Sequence, residues 1–80
     1  MNKLELDSIN SIQSKEELVS FITFLTQDFL QHHDEWENVD ISTYLTAIAA
    51  WVDDSNDAML HNPEVLQAVA KILYLGKIYE

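Results

Sequence analysis

Oxygen-bearing side chains between residues 53 and 64 have the spacing of a calcium-binding loop. A twelve-residue EF-hand loop takes side-chain ligands from positions 1, 3, 5 and 12. In that register the ligand positions hold Asp53, Ser55, Asp57 and Glu64, and the apolar position 8 holds Leu60. Position 6, however, is Ala58, where the sharp turn needs the positive φ of glycine. Pro63 stiffens position 11, and no second loop is present, although EF-hands normally work in pairs. Weak calcium binding is therefore an alternative, and a solvated helix end is the simpler interpretation.

The histidines have no spacing typical of a zinc site. His32 and His33 adjoin Asp34, and His61 stands apart. Adjacent histidines project in different directions from a helix, and no H-x3-H pair exists. We therefore predict no metal ligands among them.

The sequence contains none of the common catalytic motifs. The sequence has no cysteine nucleophile and no G-x-S-x-G, and its single glycine cannot build a phosphate-cradling loop. The many carboxylates lie in predicted polar connections, where water solvates them. We expect neither an enzyme nor a cofactor.

Charge distribution is the most distinctive feature of the chain. Fourteen acidic residues and four basic ones give a formal net charge of −10. Residues 16–70 contain eleven carboxylates and no Lys or Arg. Binding to phosphates or anionic lipids requires cations, so nucleic acids and membrane surfaces are poor partners. A basic protein would be attracted by this field, although acidity that serves only solubility is an equal alternative.

Aromatic side chains accompany these carboxylates. Trp36 lies in a polar connection, where it either folds back near Ile41 or Tyr44 as a staple or anchors an interface. Tyr44 and Trp51 lie seven residues apart on one flank of a predicted helix and favour half-buried positions beside the core. The partner-binding residues that we predict are Asp34, Glu35, Trp36, Glu37, Tyr44, Trp51, Asp53, Asp54 and Asp57.

Hydrophobic periodicity and capping residues predict three helices, over about residues 15–31, 41–52 and 63–75. Ser14 and Glu17 form a capping box in which Glu17 should reach back to the Ser14 N–H. Asp40, with Ser42 as its rival, and Asn62 followed by Pro63 are the other N-cap signals.

Each predicted helix has an apolar face, and the last helix has a glycine near its end. Gly76 is the expected C-cap. Leu4, Leu6, Ile9 and Ile12 could add a short helix or an extended segment at the start. The expected core positions are Leu18, Phe21, Ile22, Leu25, Phe29, Ile41, Leu45, Ile48, Val52, Val65, Val69, Ile72 and Leu73.

Length and composition indicate one small all-α domain over residues 1–80, with three helices and room for a short fourth N-terminal element. One Gly and one Pro are too few for the turns of an all-β fold. The start, MNKLELDSIN, has no apolar run of the kind found in a signal peptide, and no window is apolar enough for a membrane span. We expect a cytoplasmic location, with which the absence of cysteine is compatible.

Several short motifs carry a family resemblance. EWEN at 35–38, YL at 44–45, AAWVDD at 49–54 and the ending AKILYLGKIYE resemble a family of small acidic bacterial domains. Its members pair EWEN with a YLEALAAWxxD helix and end on an AxxYE tail. The likeness covers residues 16–54 and 68–80, and the segment between Asp54 and Ala68 is shorter than in the family. The resemblance implies a bacterial or phage-related source and supplies no activity or site.

Three functions fit these observations. The leading hypothesis is a non-catalytic module that docks on a basic partner protein such as a toxin; in size, acidity and lack of cysteine the chain is similar to immunity proteins that block nuclease toxins. A homo-oligomeric structural module is the second, because the apolar sector of the middle helix is broad for so short a chain. Calcium binding through residues 53–64 is the third.

Overall fold

A computed structural model describes residues 9–80 of the chain. Over these residues it is all-α, with helices α1 (Lys15–His32), α2 (Ile41–Asp54) and α3 (Pro63–Ile78). Two short 3-10 turns, His33–Glu35 and Ala58–His61, lie in the connections. No strand occurs in this part of the chain. The predicted all-α class is confirmed, and the three helices extend beyond their expected ends to His32, Asp54 and Ile78.

The N-terminal dozen is described only in part. Ile9 is helical, and the Ile12 N–H donates to the Ile9 carbonyl at 3.2 Å across a turn. The expectation for Leu4 and Leu6 lies outside the described residues.

Helix α1 begins at a capping box around Ser14. Ser14 has extended backbone angles, and its hydroxyl oxygen accepts from the Glu17 N–H at 3.1 Å. Glu17 Oε1 in turn accepts from the Gln13 N–H at 3.0 Å and from the Ser14 hydroxyl at 3.1 Å. The Glu17 carboxylate thus bonds the N–H of Gln13, one residue before the expected N–H of Ser14.

Asp40 is the N-cap of α2, as predicted. Its Oδ1 accepts from the Thr43 N–H at 2.8 Å and from the Ser42 hydroxyl at 3.1 Å. The Thr43 backbone bond, followed by the bonds from the Ser42 and Thr43 side chains, lowers the pKa of Asp40 below its ordinary value of 3.8. Ser42, the rival cap, therefore supports the Asp40 carboxylate instead of replacing it.

Helix α3 begins as the sequence predicts and ends differently. Asn62 Oδ1 accepts from the Glu64 N–H at 3.0 Å, with Pro63 in the first turn. Gly76, the expected C-cap, instead lies inside the helix and has no positive φ, and the helix ends with the Tyr79 N–H bonded to the Leu75 carbonyl at 2.8 Å. The helix therefore continues past Gly76. It ends at Tyr79, whose backbone is extended and not left-handed.

The chain divides into two compact units, one ending at Thr43 and one formed by Tyr44–Glu80. In the first unit α1 contacts the 3-10 turn that follows it, and in the second unit α3 contacts the 3-10 turn that precedes it. The single domain expected over residues 1–80 stays a prediction.

The fully buried core expected along the three apolar faces is not found among residues 9–80. Some of the expected positions are half-buried, namely Phe21, Leu25, Phe29, Ile48 and Val65. Others are exposed, with Ile41 at 75% and Ile72 at 52% of their full accessible area. The 3-10 turns that contact α1 and α3 cover only a short length of each helix, so most of these two apolar faces lies beyond the turns.

Replacing Asp40 by Asn should remove one pH-dependent contribution to stability. Asn keeps the N-cap but does not titrate. Because folding lowers the pKa of Asp40, its contribution is complete above the ordinary value of 3.8 and is lost as the pH falls through the lowered value. Thermal unfolding followed by circular dichroism from about pH 6 to about pH 2 should show the wild type losing more stability than Asp40→Asn. Parallel pH profiles for the two proteins would contradict this assignment.

Replacing Gly76 by Ala should stabilise α3. A Cβ built at Gly76 meets no atom within 4 Å, and alanine is favoured over glycine inside a helix by about 0.5–1 kcal/mol. Urea unfolding of dilute protein should show an increase of that size, and Ala68→Gly in the same helix should show a decrease. A loss of stability in Gly76→Ala would mean that the helix does not continue through this position.

Candidate functional site

The carboxylates divide into those that bond within the chain and those that do not. Four of the eleven in residues 16–70 accept hydrogen bonds from described residues: Glu17, Asp28, Asp40 and Asp57. The other seven are exposed, and their carboxylates make no hydrogen bond or ion pair with any part of the chain that the structure describes: Glu16, Asp34, Glu35, Glu37, Asp53, Asp54 and Glu64. Their negative charge is therefore directed to solvent.

The first acidic cluster consists of Asp34, Glu35 and Glu37 and lies in the first unit. Asp34 and Glu35 belong to the 3-10 turn that follows α1, and Glu37 follows Trp36. This turn is closed by the Trp36 N–H, which donates to the His33 carbonyl at 3.0 Å. A short closed turn holds the three carboxylates on one connection while leaving all three exposed.

Trp36 fixes the position of the first acidic cluster against α1. Its indole Nε1–H donates to Asp28 Oδ2 at 2.7 Å, which is short enough for a charge-assisted bond. Its ring also meets the Phe29 ring edge-on, with centroids 5.2 Å apart, and Phe29 in turn lies 5.7 Å from the ring of His33. Trp36 is therefore half-buried and has a structural role at the end of α1.

The indole of Trp36 contacts α1 through both its hydrogen bond and its ring. The expected packing of Trp36 near Ile41 or Tyr44 at the start of α2 stays a prediction. The chain turns back after His32 through a 3-10 turn, which brings the indole next to the preceding helix. Asp28, which sequence reasoning did not single out, is the partner. No local motif would have identified it, because the two residues are eight positions apart.

The second acidic cluster consists of Asp53, Asp54 and Asp57 and lies in the second unit. Asp53 and Asp54 end α2, where carboxylates are unfavourable for the helix dipole. Asp57 Oδ1 accepts from the Met59 N–H at 3.0 Å, which makes it the cap of the second 3-10 turn. Asp57 therefore has a local structural role, and Asp53 and Asp54 are the carboxylates of this cluster without one.

Trp51 is the more accessible of the two tryptophans. Its side chain is 52% exposed and makes no hydrogen bond or ring contact with any other described residue. Asp54 lies one turn further along the same side of α2. An aromatic face next to a carboxylate can accept a Lys or Arg side chain, through a cation–π contact and an ion pair. Tyr44, at 37% exposure, begins the same flank of the helix.

The residues of the hypothetical calcium loop are not gathered. Asp53 is helical, Asp57 caps a 3-10 turn and Glu64 lies in the first turn of α3. Residues 9–80 contain no group of three or more His, Cys, Asp or Glu side chains placed to hold a metal ion. The geometry thus gives the calcium alternative no support.

Within residues 9–80, no helix combines the length and the apolar character needed to cross a membrane.

Removing the indole N–H of Trp36 should destabilise the fold through Asp28. We expect Trp36→Phe to lower the free energy of unfolding by about 1–3 kcal/mol, because a half-buried carboxylate loses its donor. Trp51→Phe, the matched control, should have a smaller effect. A double-mutant cycle with Asp28→Ala, measured by urea unfolding, should give a coupling energy of about 0.5 kcal/mol or more. Additive effects of the two substitutions would contradict the bond.

Comparison with known proteins shows a relationship over most of the chain. No curated protein and no solved structure matches it. A family of unknown function, DUF7660, matches residues 14–80. This stretch contains all three helices, both acidic clusters and the bond between Trp36 and Asp28. The chain therefore belongs to the DUF7660 family, whose function is unknown.

Proposed function

We propose that the chain is a non-catalytic protein-binding module that docks on a basic partner protein, in the manner of an immunity or inhibitory protein. The observation that carries the proposal is the set of seven exposed carboxylates that bond nothing in the described chain. Glu16 and Glu64 lie in the first turns of α1 and α3, where the helix dipole favours a carboxylate. The other five neither cap a helix nor hold an indole, and they are the carboxylates of the two acidic clusters other than Asp57.

Charge supports a basic partner over an acidic or neutral one. Between Lys15 and Lys71 no Lys or Arg is available to neutralise the two acidic clusters. Such a field accelerates the approach of a cationic protein, and this acceleration falls as salt screens the charges. At 0.1 M salt the field of exposed carboxylates is largely screened beyond about 10 Å, so they act mainly on a partner that is already close.

Two tryptophans add to the role of the charges, one through contact with the partner and the other by positioning carboxylates. Trp51 is exposed beside Asp54, and tryptophan is enriched among the residues that contribute most to binding energy. Trp36 contributes differently, because its bond to Asp28 holds the first acidic cluster in place. We therefore assign contact with the partner to Asp34, Glu35, Glu37, Trp51, Asp53 and Asp54, and a positioning role to Trp36.

The finer parts of this proposal, a bacterial source and a toxin as the partner, rest on the resemblance of the sequence motifs and on the likeness to small acidic immunity proteins. They predict that a gene adjacent to that of this chain encodes a basic protein that is harmful when expressed alone. Co-expression with the present chain should restore growth.

Binding to that gene product should depend on the acidic clusters. Neutralising Asp53 and Asp54 to Asn should lower the association rate constant by about tenfold at low salt, with a smaller loss at high salt. The matched control neutralises Glu16 and Glu64 to Gln, which removes the same charge outside both clusters. Stopped-flow mixing measures the rates. Two results would refute the proposal. One is that no basic protein encoded by an adjacent gene binds the chain, and the other is that the association rate changes neither with salt nor with either set of substitutions.

A further inference from the structure

We propose that binding at the first acidic cluster is controlled by pH, because protonation of His32 and His33 cancels much of the negative charge that the cluster offers to a basic partner. This inference rests on the proposed function and adds a regulation to the same site. The expected direction is a loss of binding as the pH falls from about 8 to about 5.5.

Histidines are the only side chains in residues 16–70 that can become positive near neutral pH. This stretch contains no Lys or Arg, and it contains all three histidines of the chain, His32, His33 and His61. Histidine is the one side chain whose ordinary charge change falls between about pH 5 and pH 8. Carboxyl groups ordinarily titrate near pH 4 and lysines near pH 10, so the histidines account for the change of charge in this range.

Two of the three histidines adjoin the first acidic cluster. His32 ends α1, and His33 begins the 3-10 turn that also contains Asp34 and Glu35. Both histidine side chains are exposed and therefore open to protons from solvent. When both are protonated, the formal charge of residues 32–37 changes from −3 to −1.

His33 is tied to this turn through its backbone and its ring. Its carbonyl accepts from the Trp36 N–H at 3.0 Å, which closes the turn. Its ring lies 5.7 Å from the ring of Phe29 in the last part of α1. The charge that His33 gains therefore arises within the turn that carries Asp34 and Glu35.

The other charged groups near these histidines are negative. They are the three carboxylates of the first acidic cluster and Asp28, which lies one turn before His32 on α1 and bonds the Trp36 indole. Lys15, Glu16 and Glu17 lie at the opposite end of α1, more than about 20 Å away along the helix and beyond the range of unscreened charge. Helix α1 and the turn thus offer the cluster no positive charge other than that of the two histidines.

An NMR titration of the full isotope-labelled chain with a lysine-rich peptide tests the proposal, since lysine keeps its charge over this pH range. The Kd is read from the amides of residues 34–37 at low salt. Between pH 8 and pH 5.5 it should rise about three- to tenfold for the wild type, because each attraction between exposed charges is small. At about 0.5 M salt most of this rise should disappear.

Histidine substitutions assign the effect. The double variant His32→Gln/His33→Gln should lose most of the rise in Kd. The matched control is His61→Gln, which removes the histidine of the other 3-10 turn and should keep the rise. Replacing His33 by Phe instead of Gln, together with His32→Gln, keeps a ring beside Phe29 and should give the same loss, which separates charge from packing.

The outcomes distinguish this inference from the proposed function. A wild-type Kd that does not change with pH would overturn the inference and leave the proposed function standing. A rise that persists in His32→Gln/His33→Gln would do the same. A peptide that binds at neither pH, even at low salt, would overturn both.

Discussion

Residues 16–70 supply no lysine or arginine to their eleven carboxylates, and this constraint shapes the local structure. Each carboxylate must find a backbone N–H, a hydroxyl, an indole N–H or water. Glu17 therefore accepts from the Gln13 N–H that precedes α1, Asp40 caps the start of α2, Asp57 caps a 3-10 turn, and Asp28 holds Trp36. The carboxylates that remain face solvent, and a basic partner is what would neutralise them.

The two tryptophans differ in the bonds that their side chains make. Trp36 gives its indole N–H to a carboxylate of its own chain and its ring to Phe29, so it organises the connection that carries the first acidic cluster. The Trp51 side chain makes no hydrogen bond or ring contact with another described residue, and the neighbouring Asp54 carboxylate makes no hydrogen bond either. The two residues of the same type thus differ in whether the indole N–H bonds a described carboxylate: that of Trp36 bonds Asp28, and that of Trp51 bonds none.

Local features were predictable from sequence, and contacts between distant residues were not. Ser14, Asp40 and Asn62 were identified as N-caps, because a cap bonds an amide only two or three residues away and its pattern is visible in the chain. Gly76 was assigned wrongly, because a C-cap glycine and an interior glycine near a helix end share the same sequence and differ only in φ. The direction in which Trp36 folds depends on the path of the 3-10 turn. Apolar periodicity identified the helices but not the extent to which their faces are covered.

The central claim is that a basic partner binds at the exposed carboxylates that make no bond with the described part of the chain. An NMR titration of the isotope-labelled protein tests it directly, with a lysine-rich peptide standing in for the basic partner. The amides of residues 34–37 and 51–54 should shift, salt should reverse the shifts, and the amides of α3 after its first turn should not respond. Shifts centred on α3, or spread evenly along the chain, would contradict the account.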